Sequence, residues 1–395
     1  MKIGIAGPID LRLLTGLFPA AVELPCTYRF PLTAHLARAL HNRGHEVVLF
    51  ALSREVVNTR RIDGERICVY ICPQRQPWSQ MLDFFRKERH GLRDAMRGSN
   101  CNVIHAHWTY EFASAAIQSG VPCVVTAHDV PTAVLRFARH PYWLEKPLLA
   151  WSVLREARCI TAVSPYVARA LRPFIKRGRE IIVIPNGAIA GVFALYGNRE
   201  PRPECTPFRF ASVLNGWSVR KNSFRVIQAF GLLRREFGGQ VELSMFGDGH
   251  ERDGPAHRWA MQRRLDDGVM FLGALGYESL MSEIANRVDV FVHPALEEAH
   301  SMAVTEAMAL GLPVIGGAKS GGIPWALAYG KAGLLVDVTS SASIASGMRT
   351  LLKDDSFRGA LARSGRQRAL DEYRLEAVAE KYETLLLKVS EERAL

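Results

Sequence analysis

Between residues 288 and 316 the chain spells out a strand, a short loop, a helix and the start of a second strand. Residues 288–292 form an apolar run suited to a buried strand. His293-Pro294 ends it, because proline cannot continue a central strand. A helix is predicted over 302–310, stopped by Gly311 and Pro313, and Val314-Ile315 opens the next strand. Strands alternate with helices in this way along the whole chain, which is the pattern of doubly wound α/β folds.

At 395 residues the chain is too long for one core. One set of strands is predicted at 3–6, 47–52, 103–105, 123–126, 160–163 and 181–184, with helices such as 31–43 between them. A second set is predicted at 209–214, 242–246, 269–271, 290–292, 314–315 and 334–336. Residues 198–207, with Pro201, Pro203 and Pro207, break the pattern and read as a linker. The expectation is an α/β protein of two Rossmann-like parallel-sheet domains, 1–196 and 207–370. In open parallel sheets ligands bind beyond the carboxyl ends of the strands, so two facing sheets would make a cleft.

The net charge of +11 lies entirely in residues 1–195, where 25 Lys and Arg stand against 14 Asp and Glu. A one-sided basic domain suits an anionic lipid surface or a phosphorylated substrate. Nucleic acid is not expected as a partner, since aromatic and basic residues do not interleave as in single-strand binders. No apolar run reaches the roughly 18 residues of a membrane span. The first residues, MKIGIAGPID, read as a strand rather than a signal peptide. Seven cysteines without a Cys-x-x-Cys pair read as reduced thiols, so a cytoplasmic location is expected.

The residues suited to chemistry cluster after predicted strands. Glu298 and Glu306, eight apart, would on one helix sit ~12 Å apart along the axis and ~80° around it. Glu298 is therefore placed in the loop and Glu306 one turn into the helix, so that both face a ligand. The helix start at Ser301, Met302 and Ala303 favours an anion such as a diphosphate. Carboxylates accept hydrogen bonds from vicinal hydroxyls. A ligand with phosphate in its middle and polyols at both ends fits this layout. Arg220-Lys221 supplies two cations after the first strand of the second set. His128-Asp129 follows a strand of the first set, with His128 able to hydrogen-bond a sugar hydroxyl and Asp129 to orient it. Gly247 and Gly273-Ala274 follow strands where backbone must approach a ligand closely. His105-Ala-His107 suggests a metal pair, but no third ligand has convincing spacing. Neither Gly-x-Gly-x-x-Gly nor a P-loop pattern is present, and no Asp-x-Asp stands ready to hold a divalent ion.

Seven residues separate Glu298 from Glu306, which opens EAMALGLPVI. This resembles the Glu-x7-Glu motif of the retaining GT-B enzymes of glycosyltransferase family 4. The resemblance continues through RGHEVVLF (43–50), NVIHAHW (102–108), VVTAHD (124–129), TAVSPYVARAL (161–171), VIPNGAIAGVF (183–193), FGDGHE (246–251), VMFLGAL (269–275) and SGGIPWAL (320–327). It implies a metal-independent transferase moving a hexose from a nucleotide diphosphate sugar to a glycan or lipid-linked acceptor, as in surface polysaccharide synthesis. By resemblance Glu306 holds the ribose hydroxyls and Glu298 those of the donor sugar. Lys221, Arg220 and the helix start at 301–303 stabilise the diphosphate, and His128 positions the donor. Gly247 lies near the nucleotide, and Gly273 and Ala274 lie near the base. The final helix, 371–389, within a tail 371–395, is expected to cross back to the first domain. Two positions depart from the family. Gly216 stands where an arginine is usual, and Thr27-Tyr28 stands where the loop after the first strand usually has Gly-Gly.

Two other readings stay open on the sequence. One is a nucleotide-sugar epimerase or hydrolase on the same fold, and the other is a binding protein with a degenerate sugar site. Peripheral contact with a membrane is expected through Tyr142-Trp143-Leu144 and Leu148-Leu149-Ala150-Trp151, beside Arg136, Arg139 and Lys146.

Overall fold

The structure is a computed structural model describing residues 1–28, 30–137, 145–197 and 206–392. It divides into two compact units, one of Met1–Gly187 with Leu375–Leu395 and one of Ala188–Arg374. The division falls before the proline-rich stretch, most of which (198–205) lies outside the described residues. The physical reason is local. Val192, on the helix Ala190–Ala194, is buried in a core cluster of the second unit with Phe291, Met308 and Tyr373. The Ala188 N–H also donates to the Tyr373 carbonyl at 2.7 Å.

In the first unit the strands are β1 (Lys2–Ala6), β2 (Glu46–Ser53), β3 (Arg60–Gly64), β4 (Ile67–Pro73), β5 (Val103–His107), β6 (Cys123–Ala127), β7 (Cys159–Ala162) and β8 (Ile181–Val183). Among the described residues they form one sheet in the order β3-β4-β2-β1-β5-β6-β7-β8. All neighbours are parallel except β3, which runs antiparallel to β4. The β3–β4 hairpin is absent from the expected set. Its turn passes through Arg66 in a left-handed conformation (φ 53°), and Arg60, Arg61 and Asp63 are exposed, so the apolar pattern of β3 is weak. The segment between β1 and the helix Pro31–Asn42, expected as a plain loop, contains a 3-10 helix, Leu11–Leu17. Ile9, Leu11, Leu14 and Phe18 bury it in the same core as β1, β2 and β4.

The chain's last helix begins later than expected. Asp371 and Glu372 close the helix Asp355–Glu372, Tyr373 and Arg374 break the course, and Leu375–Glu391 forms a separate helix. Val378, Ala379, Tyr382 and Leu386 from this helix pack into the first unit's core.

The second unit contains β9 (Phe208–Val213), β10 (Val241–Phe246), β11 (Val269–Gly273), β12 (Val290–His293), β13 (Val314–Gly317) and β14 (Leu334–Val336). Among the described residues they make a sheet in the order β11-β10-β9-β12-β13-β14, with every pair parallel. β9 lies between β10 and β12, which follow it in the chain on opposite sides. The order therefore reverses at β9, the kind of switch point beyond whose strand ends open α/β sheets bind ligands. The loops after β9 and β12, carrying Lys221 and Glu298, leave from neighbouring strands at that point. No helix of the described residues is long and apolar enough to cross a membrane.

Candidate active site

The loop after β9 is pinned to the loop after β12. Asn222, buried and in a left-handed conformation (φ 58°), donates through Nδ2 to the Pro294 carbonyl at 2.8 Å and the Val338 carbonyl at 2.9 Å. The Leu296 N–H donates to the Arg220 carbonyl at 2.8 Å. The Gly322 N–H donates to the Glu298 carbonyl at 2.7 Å, tying in a third loop. These bonds bring Lys221 and Glu298 together, and Lys221 Nζ donates to Glu298 Oε1 at 2.6 Å. Arg220 turns mainly to Glu297, with Nη1 3.5 Å from Glu297 Oε2 and 3.9 Å from Glu298 Oε2. His293 Nε2 lies 3.5 Å from Glu298 Oε1, which is ion-pair range rather than a good hydrogen bond. Burial pushes the Glu298 carboxyl up. Lys221, His293 and Arg220 outweigh it and hold Glu298 well below the usual carboxylate range.

Glu306 sits one turn inside the helix Met302–Ala309. That helix forms where Ser301 Oγ accepts from the Val304 N–H, and it ends where Gly311 (φ 73°) donates to the Met308 carbonyl at 2.9 Å. The N–H groups of Met302 and Ala303 belong to the first turn, which intrahelical bonds do not reach. Glu306 is 9 % exposed, and the Tyr277 hydroxyl donates to its Oε1 at 2.8 Å. Burial pushes the Glu306 carboxyl up to about 7, against the opposing pull of the Tyr277 bond. The two carboxylates of the motif are thus set apart electrically. One is paired with a cation and firmly ionised, and the other has a neutral partner and titrates near neutrality.

Gly247 and Gly273, chosen separately on the sequence, meet in the structure, the N–H of the first donating to the carbonyl of the second at 2.8 Å. Gly247 has φ 101°, and a Cβ there would stand 2.1 Å from the Leu214 carbonyl oxygen. Ala274 follows Gly273 and is exposed.

His128, in the first unit, follows β6. Its Nε2 lies 2.8 Å from Nδ1 of His107, at the end of neighbouring β5. Asp129 accepts from the Tyr110 hydroxyl at 3.0 Å. His105 and His107 share one face of β5 with ring centroids 4.1 Å apart. His105 Nε2 pairs with Thr126 Oγ1 at 2.7 Å, and burial holds both rings well below the usual histidine range, so they stay neutral. Thr27 Oγ1 donates to the Ile9 carbonyl at 2.6 Å, while Tyr28 projects into solvent.

The sequence profile of Glycosyltransferase Family 4 matches residues 32–189, and that of Glycosyl transferases group 1 matches residues 211–368. Together they span most of the chain. It belongs to glycosyltransferase family 4. Over 311 residues this glycosyltransferase is 23 % identical to N-acetyl-alpha-D-glucosaminyl L-malate synthase of Bacillus anthracis, covering 75 % of this chain and 77 % of that one. Sucrose-phosphate synthase (tll1590) from Thermosynechococcus elongatus has the same fold, with a TM-score of 0.77 at 18 % identity over 98 % of this chain and 99 % of that one. Anabaena Alr3699/HepE in complex with UDP and glucose follows with a TM-score of 0.71 at 18 % identity, over 98 % and 100 % of the two chains. The fold is GT-B, with two Rossmann-like parallel-sheet domains, and this glycosyltransferase acts on nucleotide sugars.

The contacts of Asn222, His293 and Tyr277 with the candidate site residues were not legible in the sequence, nor was the pairing of His107 with His128. Of the aromatic stretch expected at a membrane surface, 142–144 and Arg139 lie outside the described residues. Leu149 and Ala150 are buried, whereas Leu148 is 59 % and Trp151 48 % exposed.

Proposed function

We propose that this protein transfers a hexose from a uridine diphosphate sugar to an acceptor hydroxyl, with retention at the anomeric carbon and without a metal ion. The observation carrying this reading is the line of groups beyond the carboxyl ends of β9 to β12. It comprises a Lys221–Glu298 pair, a helix start at Ser301–Ala303, and Glu306 held by Tyr277. Glu306 accepts the ribose hydroxyls, and Glu298 accepts hydroxyls of the donor sugar. Lys221 and the helix start stabilise the diphosphate as charge develops on it, with Arg220 supporting from the neighbouring position. Gly247, Gly273 and Ala274 give the nucleotide close access to backbone. His128 is the histidine that the family resemblance assigns to the donor sugar.

The bond from the anomeric carbon to the phosphate oxygen breaks, and the acceptor oxygen bonds that carbon on the same face. The acceptor proton passes to the departing diphosphate. Uridine is favoured because the Anabaena protein of the same fold is described with UDP and glucose. In this reading the acceptor is a glycan or lipid-linked saccharide met at a membrane surface. Exposed Leu148 and Trp151, with the Arg155 guanidinium 5.1 Å over the Trp151 ring, support such contact.

Thermal unfolding with UDP, GDP, ADP and TDP, each with and without divalent metal, tests the donor site. A diphosphate at ~100 times its dissociation constant adds ~2.7 kcal/mol. Stabilisation by UDP without metal is expected, and no shift with any diphosphate would remove the proposal. Proton NMR of the product reports the anomeric configuration.

A further inference from the structure

Three donors stand at graded distances from the Glu298 carboxylate. Lys221 Nζ is 2.6 Å from Oε1, His293 Nε2 is 3.5 Å from the same oxygen, and Arg220 Nη1 is 3.9 Å from Oε2. His293 differs from the two cations in its commitments. It is the last residue of β12 and 2 % exposed, and among the described residues neither of its ring nitrogens has a hydrogen-bond partner. Its place is set by the strand rather than by a polar contact, on the same face as Phe291, whose ring lies 6.5 Å away at an angle of 12°. Buried polar groups are nearly always hydrogen-bonded, so a ring with two open nitrogens beside a carboxylate calls for a bond made in another state of the site.

In the free protein Lys221 already satisfies Glu298 Oε1. His293 stands off at 3.5 Å, roughly 0.5 Å beyond a normal N–H···O bond. A carboxylate only accepts, so the Nε2 that faces it carries the hydrogen of a neutral ring. On the donor reading Lys221 and Arg220 are both drawn to the diphosphate. Every bond that Lys221 makes to a phosphate loosens its hold on Glu298, because one ammonium is then shared between two anions. Glu298 is 9 % exposed, and a carboxylate so buried needs a donor in place of the one it loses. His293 faces the very oxygen that Lys221 releases, and nothing in the reading draws it elsewhere.

We propose that His293 is a positioning residue for Glu298: as the diphosphate draws Lys221 away, the His293 Nε2–H closes on Glu298 Oε1 and takes over the lysine's bond. Glu298 then keeps its place, with its second oxygen open to hydroxyls of the donor sugar. This deepens the transferase reading and rests on it for the departure of Lys221.

A stability cycle on the free protein and calorimetric titration with UDP together test this. In the free protein Lys221 holds Glu298, so His293→Leu is expected to move the unfolding midpoint by no more than about 2 °C. In the Lys221→Met background Glu298 leans on His293, and the same substitution is expected to lower the midpoint by about 4 °C or more. His293→Leu alone is expected to weaken UDP binding roughly tenfold, whereas His293→Gln, which keeps a donor near the place of Nε2, holds it within about threefold. A histidine that only packs would cost the same in both backgrounds and leave UDP affinity alone. Equal cost in the two backgrounds, or unchanged UDP affinity in His293→Leu, therefore overturns the proposal. Should His293→Leu not fold, His293→Asn, too short to bring a donor to the place of Nε2, answers the same two questions. Failure of UDP to bind the unaltered protein would instead strike the diphosphate reading, and the cycle on the free protein would still decide the role of His293.

Discussion

Lys221 Nζ and Glu298 Oε1 stand 2.6 Å apart, so the cation assigned to the diphosphate and the carboxylate assigned to the donor sugar form one partly buried ion pair. Removing the lysine acts on catalysis and on folding together. Lys221→Ala should cut turnover by ~10²-fold or more through loss of charge stabilisation. It should also cost ~3 kcal/mol, because Glu298 is left buried without its main cation. The double variant Lys221→Met with Glu298→Gln should recover most of that stability and none of the turnover. Chemical denaturation and steady-state kinetics on the three proteins separate the effects. Near-wild-type turnover in Lys221→Ala would take it out of the mechanism.

Glu306 makes stability depend on pH. Its carboxyl titrates near 4.5 when unfolded and near about 7 when folded. Between those values the folded protein holds a proton that the unfolded chain has lost, so this group's contribution falls as pH rises through the window. Glu306→Gln should leave stability unchanged below the lower value and raise it above the upper one, by roughly 3 kcal/mol. The same variant should bind UDP more weakly. Unfolding midpoints of both proteins from acid to mildly alkaline pH check the sign.

Tyr277 holds the Glu306 titration down against burial. If the ionised carboxylate binds ribose, UDP affinity rises with pH through the Glu306 midpoint. Tyr277→Phe should then move that midpoint upward by up to about one unit. Calorimetric titration of UDP at several pH values measures it, and an unmoved midpoint would detach the tyrosine from nucleotide binding.

Gly247→Ala should destabilise the second unit by at least ~2 kcal/mol and abolish UDP binding, since its Cβ would strike the Leu214 carbonyl in a left-handed backbone. Gly239→Ala, where a Cβ meets nothing within 4 Å, should change stability by no more than about 0.5 kcal/mol. Unfolding midpoints of the two variants compare them directly.

The positions of the parallel strands were readable because strands buried on both faces are written as unbroken apolar runs, as in Val47-Val48 and Val103-Ile104. β3 escaped because an edge strand with Arg60, Arg61 and Asp63 outward carries no such run, whereas β4, ICVYICP, is buried and apolar and was passed over. The Glu298–Glu306 spacing was readable because strand, loop and helix are contiguous there. Their partners were not. Tyr277 and Lys221 come from other strand ends, and their meeting with the motif is set by strand order, which local patterns do not encode. Asn222 carried one signal in principle, since asparagine tolerates the left-handed turn that it occupies.

The first unit's core is completed by Val378, Ala379, Tyr382 and Leu386, which leave the ribosome after every residue of the second unit. The half that is made first is therefore the half whose core receives its last residues latest. While residues 188–374 are being synthesised, the nascent amino-terminal core lacks the apolar side chains that the helix Leu375–Glu391 adds to it. A released chain cut just before Leu375 would keep every strand of the second unit and leave the amino-terminal core without Val378, Ala379, Tyr382 and Leu386, open to chaperones and proteases.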